Sequence, residues 1–113
     1  MSQYMLMFLG DDDQFEATPT EDRKKKYAEI MSWWEDLSKK GVIKGGEELQ
    51  HRNTATTVRR VNGKMTVSDG PFIESKEHVG GWAMVEVPDL DAAIAIAKSW
   101  PSGDVEVRPI VER

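Results

Sequence analysis

The chain has 113 residues, within the range of one domain, and sets 15 Lys and Arg against 20 Asp and Glu for a formal charge of −5. That sign is wrong for a protein that grips phosphate backbones by releasing counterions, so nucleic acid is not an expected partner. The absence of cysteine excludes disulfides, thiolate catalysis and thiolate zinc sites. No apolar run nears the roughly 18 residues of a spanning helix, and the expectation is a cytoplasmic protein with no membrane partner.

Tyr4 to Leu9 is a continuous apolar run ended by Gly10 and the acidic Asp11-Asp12-Asp13. It reads as a buried strand followed by a turn; it is too short, and lacks the basic leader, for a signal peptide. Thr18-Pro19-Thr20-Glu21 carries a helix start, with a capping hydroxyl, Pro at the first helical position and Glu three residues after the cap. From there Tyr27, Ile30, Met31, Trp34 and Leu37 fall at helical spacing, widened by Trp33. Lys39-Lys40 and Gly41 suit a C-terminus, so the helix is expected to run from Thr20 to Lys40. Its one basic run, Arg23-Lys24-Lys25-Lys26, reads as a solvated face.

Val42 to Leu49 is a weak strand in which Gly45-Gly46 suggests a bulge or a close backbone approach. Thr54 to Val61 and Lys64 to Ser68 are β-rich and joined by Asn62-Gly63, a strong signal for a two-residue hairpin turn. Gly80 to Val87 is the next strand, stopped by Pro88. Asp89 caps a second helix with Leu90, Ala93, Ile94 and Ala97 on one side, and Val105 to Val111 forms a last strand. The order predicts an α+β, ferredoxin-like fold: an antiparallel sheet with two helices on one face and an inserted β-hairpin, residues 1–113 forming a single domain. Both rows of the strands Tyr4 to Leu9 and Gly80 to Val87 are rich in apolar side chains. The sheet face without helices therefore needs a cover, and a second copy makes the chain a homodimer.

The segment from Val67 to His78 is dense in turn formers and ionisable groups. Asp69 either ties down an Asx-type turn at Gly70-Pro71, with Phe72 plugging the core, or serves as an acid or base in a pocket. Arg59 and Arg108 lie on expected strands, where a charge must reach water, pair or face a cavity. Arg108 either clamps an anion or pairs with Glu74 or Glu77. Lys76 suits a substrate-anion contact or a surface ion pair, and Trp33, Trp34, Trp82 and Trp100 suit the core or an aromatic pocket. His51 and His78 are isolated, so no metal is expected. Gly45-Gly46 lacks the spacing of a phosphate loop, and no cofactor is expected.

Asp69-Gly70-Pro71-Phe72, with Glu74, Lys76-Glu77, Gly81, Leu90-Asp91, Ala93 and Val105-Glu106-Val107-Arg108-Pro109, resembles the DGPF group of YCII-related proteins. Ala55-Thr56-Thr57-Val58-Arg59, Gly63-Lys64 and Thr66 extend the likeness over nearly the whole chain. The resemblance implies a dimeric α+β barrel built from ferredoxin-like units, and because genes of the group often accompany those of extracytoplasmic-function sigma factors it makes a sigma factor one candidate partner. It supports Asp69 in a pocket, and the residues' own character adds Arg59, Phe72, Lys76, Trp82 and Arg108 as candidate ligand contacts. The wider group is thought to hold a His-Asp pair whose histidine belongs to the first helix, and here Thr20 to Lys40 has none. His51 serves as a base only by a different geometry. Two functions stay open: a module binding a small anionic or aromatic ligand, and a cofactor-independent lyase or isomerase, dehydrochlorinase-like, using Asp69.

Overall fold

A computed structural model describes all 113 residues. Strand β1 (Ser2–Gly10) leads into a short helix α1 (Asp12–Ala17) and a long one, α2 (Thr20–Lys39). Then follow β2 (Ile43–Glu48), a 3₁₀ turn (Arg52–Thr54), the ribbon β3 (Thr56–Val61) and β4 (Lys64–Asp69), β5 (His78–Val87), α3 (Leu90–Lys98) and β6 (Asp104–Pro109). Four strands form one antiparallel sheet in the order β2-β5-β1-β6, the ferredoxin-like arrangement, while β3 and β4 pair only with each other.

The period of two along β1 and β5 assigns the faces. Tyr4, Leu6 and Phe8 of β1 and Ala83, Val85 and Val87 of β5 are buried together with Leu37 of α2 and Ala93 of α3. That row, under the helices, is the core. The opposite row, Met5 and Met7 beside Met84 and Trp82, stays half-buried because no element of the chain lies over it.

Three expectations need correction. Asp11-Asp12-Asp13 is the start of α1 rather than a turn: Asp11 Oδ1 accepts from the amides of Asp13 (3.0 Å) and Gln14 (3.2 Å), which converts acidic residues into an N-cap. No capping box forms at Thr18, because its hydroxyl donates to Gln14 O (2.9 Å) at the end of α1, leaving Pro19 as the N-cap of α2 with no side-chain bond. Nor does Asp69 make an Asx turn. The turn is held by Gly70 N donating to Ala55 O (2.8 Å) and Thr57 Oγ1 donating to Gly70 O (2.6 Å), so its polar groups are met from β3.

The Asn62-Gly63 turn forms as expected, with φ of 50° and 81°, both in the left-handed region of a type I′ hairpin. Gly46 fulfils the other glycine expectation. Its φ is 154°, and a Cβ there would lie 2.3 Å from Trp82 O and 2.4 Å from the Trp34 ring, so β2 sits against β5 and α2 only because no side chain intervenes.

A candidate ligand cleft between α1, α2 and the sheet

Arg23, Tyr27, Ile30 or Met31, and Trp34 follow one another at steps of three and four along α2, and one side of the helix therefore turns all of them toward the same space. Below lies the end of β1 at Phe8 to Gly10 and the start of β5 at His78, Gly80 and Gly81; α1 closes one side with Asp12, Phe15 and Glu16. Trp100 and the segment Glu47 to His51 complete a cleft of about 710 Å³, the size of a small-molecule site. Gly81 keeps the floor flat, since a Cβ there would approach Glu47 O to 3.0 Å.

The floor is aromatic. Phe8 stacks on Trp100 with centroids 3.9 Å apart, and Trp33 meets both rings edge-on. Across the mouth, the Tyr27 hydroxyl donates to Glu48 Oε2 at 2.8 Å, and burial together with that carboxylate raises the phenol's pKa. Phe15 packs edge-on against Tyr27 and so fixes α1 to α2.

At the rim, the 3₁₀ turn is clamped to α1. Asn53 N donates to His51 Nδ1 (3.0 Å), which directs the His51 Nε2 proton at Asp13 Oδ1, 2.9 Å away. Arg52 donates from its backbone to Asp12 Oδ2 (2.7 Å) and from its guanidinium to Asp13. The hydrogen bond from Arg52, then that from His51, holds the Asp13 carboxyl below its usual value of 3.8; the bond to Asp13 lifts His51 above 6.5.

The two shifts act at opposite ends of the pH scale. The raised His51 stabilises the clamp fully below pH 6.5 and loses that contribution as pH rises through its folded value. The lowered Asp13 stabilises above pH 3.8 and loses its contribution as pH falls through its own folded value. The charged pair of His51 with Asp13 is therefore at full strength between these limits, whereas the bond from Asn53 N to Nδ1 belongs to the neutral ring. In a proton NMR titration, the His51 midpoint is expected above 6.5 and to fall toward it in Asp13→Asn; equal midpoints in the two proteins would mean that the pair does not form.

Of the candidate residues singled out in the sequence, His51, His78, Trp34 and Trp100 line this cleft, and Asp69, Arg59, Phe72, Lys76, Trp82 and Arg108 do not. Asp69 is exposed at the end of β4, on the ribbon. Arg59 and Phe72 meet each other, the guanidinium 4.1 Å over the ring and donating to Phe72 O at 2.7 Å. Phe72 is 60 % exposed rather than a core plug, because the ribbon that carries its partner stands away from the core. Lys76 is exposed in the loop before β5. Trp82 and Arg108 belong to the sheet face away from the helices, where Arg108 pairs with its neighbour Glu106 rather than Glu74 or Glu77.

The sequence reading did not single out Arg23, Tyr27 or Asp13 for the site. Arg23 carried a usable signal, since it prolongs the Tyr27–Trp34 stripe by one turn. Asp13 carried none, being 38 positions from His51.

An antiparallel sheet of this strand order, with two helices on one face and a cleft at the end of its central strands, defines a ferredoxin-like α+β protein. The chain belongs to the YCII-related domain family, whose sequence profile matches residues 3–113. It is also 27 % identical over 112 residues to an uncharacterized protein of Rhizobium meliloti (strain 1021), across 95 % of this chain and 90 % of that protein. No helix is long and apolar enough to cross a membrane.

Proposed function

We propose that the chain is a cytoplasmic binding module for a small organic anion with an aromatic or apolar body, held in the cleft between α1, α2 and the sheet. One observation carries this reading. Arg23 Nε, His78 Nε2 and Trp100 Nε1 are buried without a hydrogen-bond partner, and all three residues line that cleft. A buried polar atom left unpaired costs about 1–3 kcal/mol, more for a charged group, and a ligand that meets several at once recovers that energy. Arg23 supplies the positive charge, Trp100 a donor and His78 a donor or acceptor, while Phe8, Trp34 and Trp100 offer flat apolar surface.

Tryptophan fluorescence with an aromatic carboxylate, its neutral amide and inorganic phosphate tests this. The carboxylate is expected to bind at least about tenfold tighter than the amide, and phosphate to leave the signal unchanged. Equal affinity for carboxylate and amide would overturn the anion reading.

The Asp69-Gly70-Pro71-Phe72 run supports a place in the DGPF group. The uncovered row Met5, Met7, Trp82 and Met84 supports a homodimer, because exposing such surface costs on the order of 25 cal/mol per Å².

A second reading, a lyase or isomerase, has its own observation: His51, raised in pKa by Asp13, faces the same cleft. Both His51 ring nitrogens are already engaged within the chain, while the three buried atoms have no partner in it, and this favours binding. Loss of turnover of a bound ligand in His51→Gln, with binding retained, would reverse the order.

A further inference from the structure

The β3–β4 ribbon is outside the four-stranded sheet, and a two-stranded ribbon alone is marginal in water. It also extends the molecule: the radius of gyration is 16.1 Å, against about 13 Å for a compact domain of this length. The register assigns its two sides. Thr57, Arg59 and Val61 share one, where Thr57 is buried against Gly70, Arg59 lies over Phe72 and Val61 is exposed. The other carries Val58 directly opposite Val67, and Met65 opposite Arg60. These three apolar side chains are 52 %, 70 % and 55 % exposed.

Charge is segregated in the same way. Residues 49–68 hold Arg52, Arg59, Arg60 and Lys64 and no acid, giving +4; the rest of the chain has 11 cations against 20 acids, giving −9. The bare sheet face shows where such an arm fits. Its apolar row of Met5, Met7, Trp82 and Met84 is framed by Glu47 and Glu106, which flank Trp82 and Met7 across the strands, and by Glu86. Arg108 on this face is already paired with Glu106.

We infer that the β3–β4 ribbon is a docking arm that lays its Val58, Met65 and Val67 side, with Arg60, on the acid-framed sheet face of a second copy of this chain. This rests on the homodimer of the preceding reading. Each arm serves the other copy under two-fold symmetry, so one contact, made twice, covers the bare side of the ribbon and the rim of the sheet. The arm's cations do not suit a phosphate backbone, which the −9 body would repel.

Sedimentation equilibrium on the full chain tests the arm. The wild type is expected to be a dimer at micromolar concentration, and Val67→Arg and Arg60→Glu are each expected to raise its dissociation constant about tenfold or more, with circular dichroism unchanged. Both side chains are exposed in the single chain. If Val67→Arg fails to fold, Arg60→Glu still reads the contact, and its effect should shrink in high salt. Met84→Arg, on the sheet face, separates the two ideas. A dimer weakened by Met84→Arg and indifferent to both arm variants keeps the homodimer and overturns the arm. A monomeric wild type overturns both. Lys64 cross-linking in a mixture of isotopically light and heavy chains gives an independent reading: links between chains are expected, and links only within a chain overturn the arm.

Discussion

Gly46→Ala is expected to destabilise the fold by about 3 kcal/mol and lower the melting midpoint by roughly 10 °C or more. The first carbon of any side chain at this position would meet Trp82 O at 2.3 Å, the Trp34 ring at 2.4 Å and Ala83 Cα at 2.9 Å. Two of those atoms are backbone of the central strand β5 and have no rotamer to escape into. A φ of 154° adds strain for any residue with a Cβ. Gly45 is the internal control, with nothing within 4 Å of its ideal Cβ. Gly45→Ala should therefore melt within a few degrees of the wild type. A thermal scan in which both variants melt together would mean that β2 is not pressed between Trp34 and β5.

The second large effect is expected in the cleft. Arg23→Gln removes the only guanidinium that lines it and should weaken an aromatic carboxylate by about ten- to a hundredfold, the range of a buried charged hydrogen bond. The matching amide should lose little. Trp100→Phe keeps the ring stacked on Phe8 and deletes only the indole donor, so a smaller loss, about fivefold, is expected. Titration calorimetry of both variants with both ligands separates charge from shape. Equal losses for acid and amide in Arg23→Gln would reduce Arg23 to a packing residue.

The fold was readable because its strongest signals are local. Asn62-Gly63 specifies its turn through positive φ, Asp89 caps α3 through one bond to Ala92 N (2.9 Å), and the alternation in β1 and β5 names the core row. Helix α1 escaped because six residues are too few for a periodic stripe and its cap is an Asp among three. The site escaped for a different reason. Asp69 drew attention by its motif, yet motif residues here shape a turn whose hydrogen bonds come from Ala55 and Thr57. The cleft is assembled from α1, the stretch of α2 from Arg23 to Trp34, the end of β1, the segment Glu47 to His51, the start of β5 and Trp100, positions that meet only after the sheet order β2-β5-β1-β6 is set. His51 stands in the sequence as an isolated histidine; its carboxylate partner comes from the helix that local patterning could not show.

Phe8 belongs at once to the core and to the floor of the cleft, beneath Trp100. Ligand occupancy and global unfolding are consequently linked through one side chain, and no separate lid or hinge is required for the coupling. A ligand at a hundred times its dissociation constant adds about 2.7 kcal/mol to the free energy of unfolding if the unfolded chain does not bind it. For a domain of this length that is a rise in melting midpoint on the order of 10 °C. Melting curves measured over a library of small acids therefore rank candidate ligands without any assumption about turnover, and the same curves on Arg23→Gln mark those that enter this cleft.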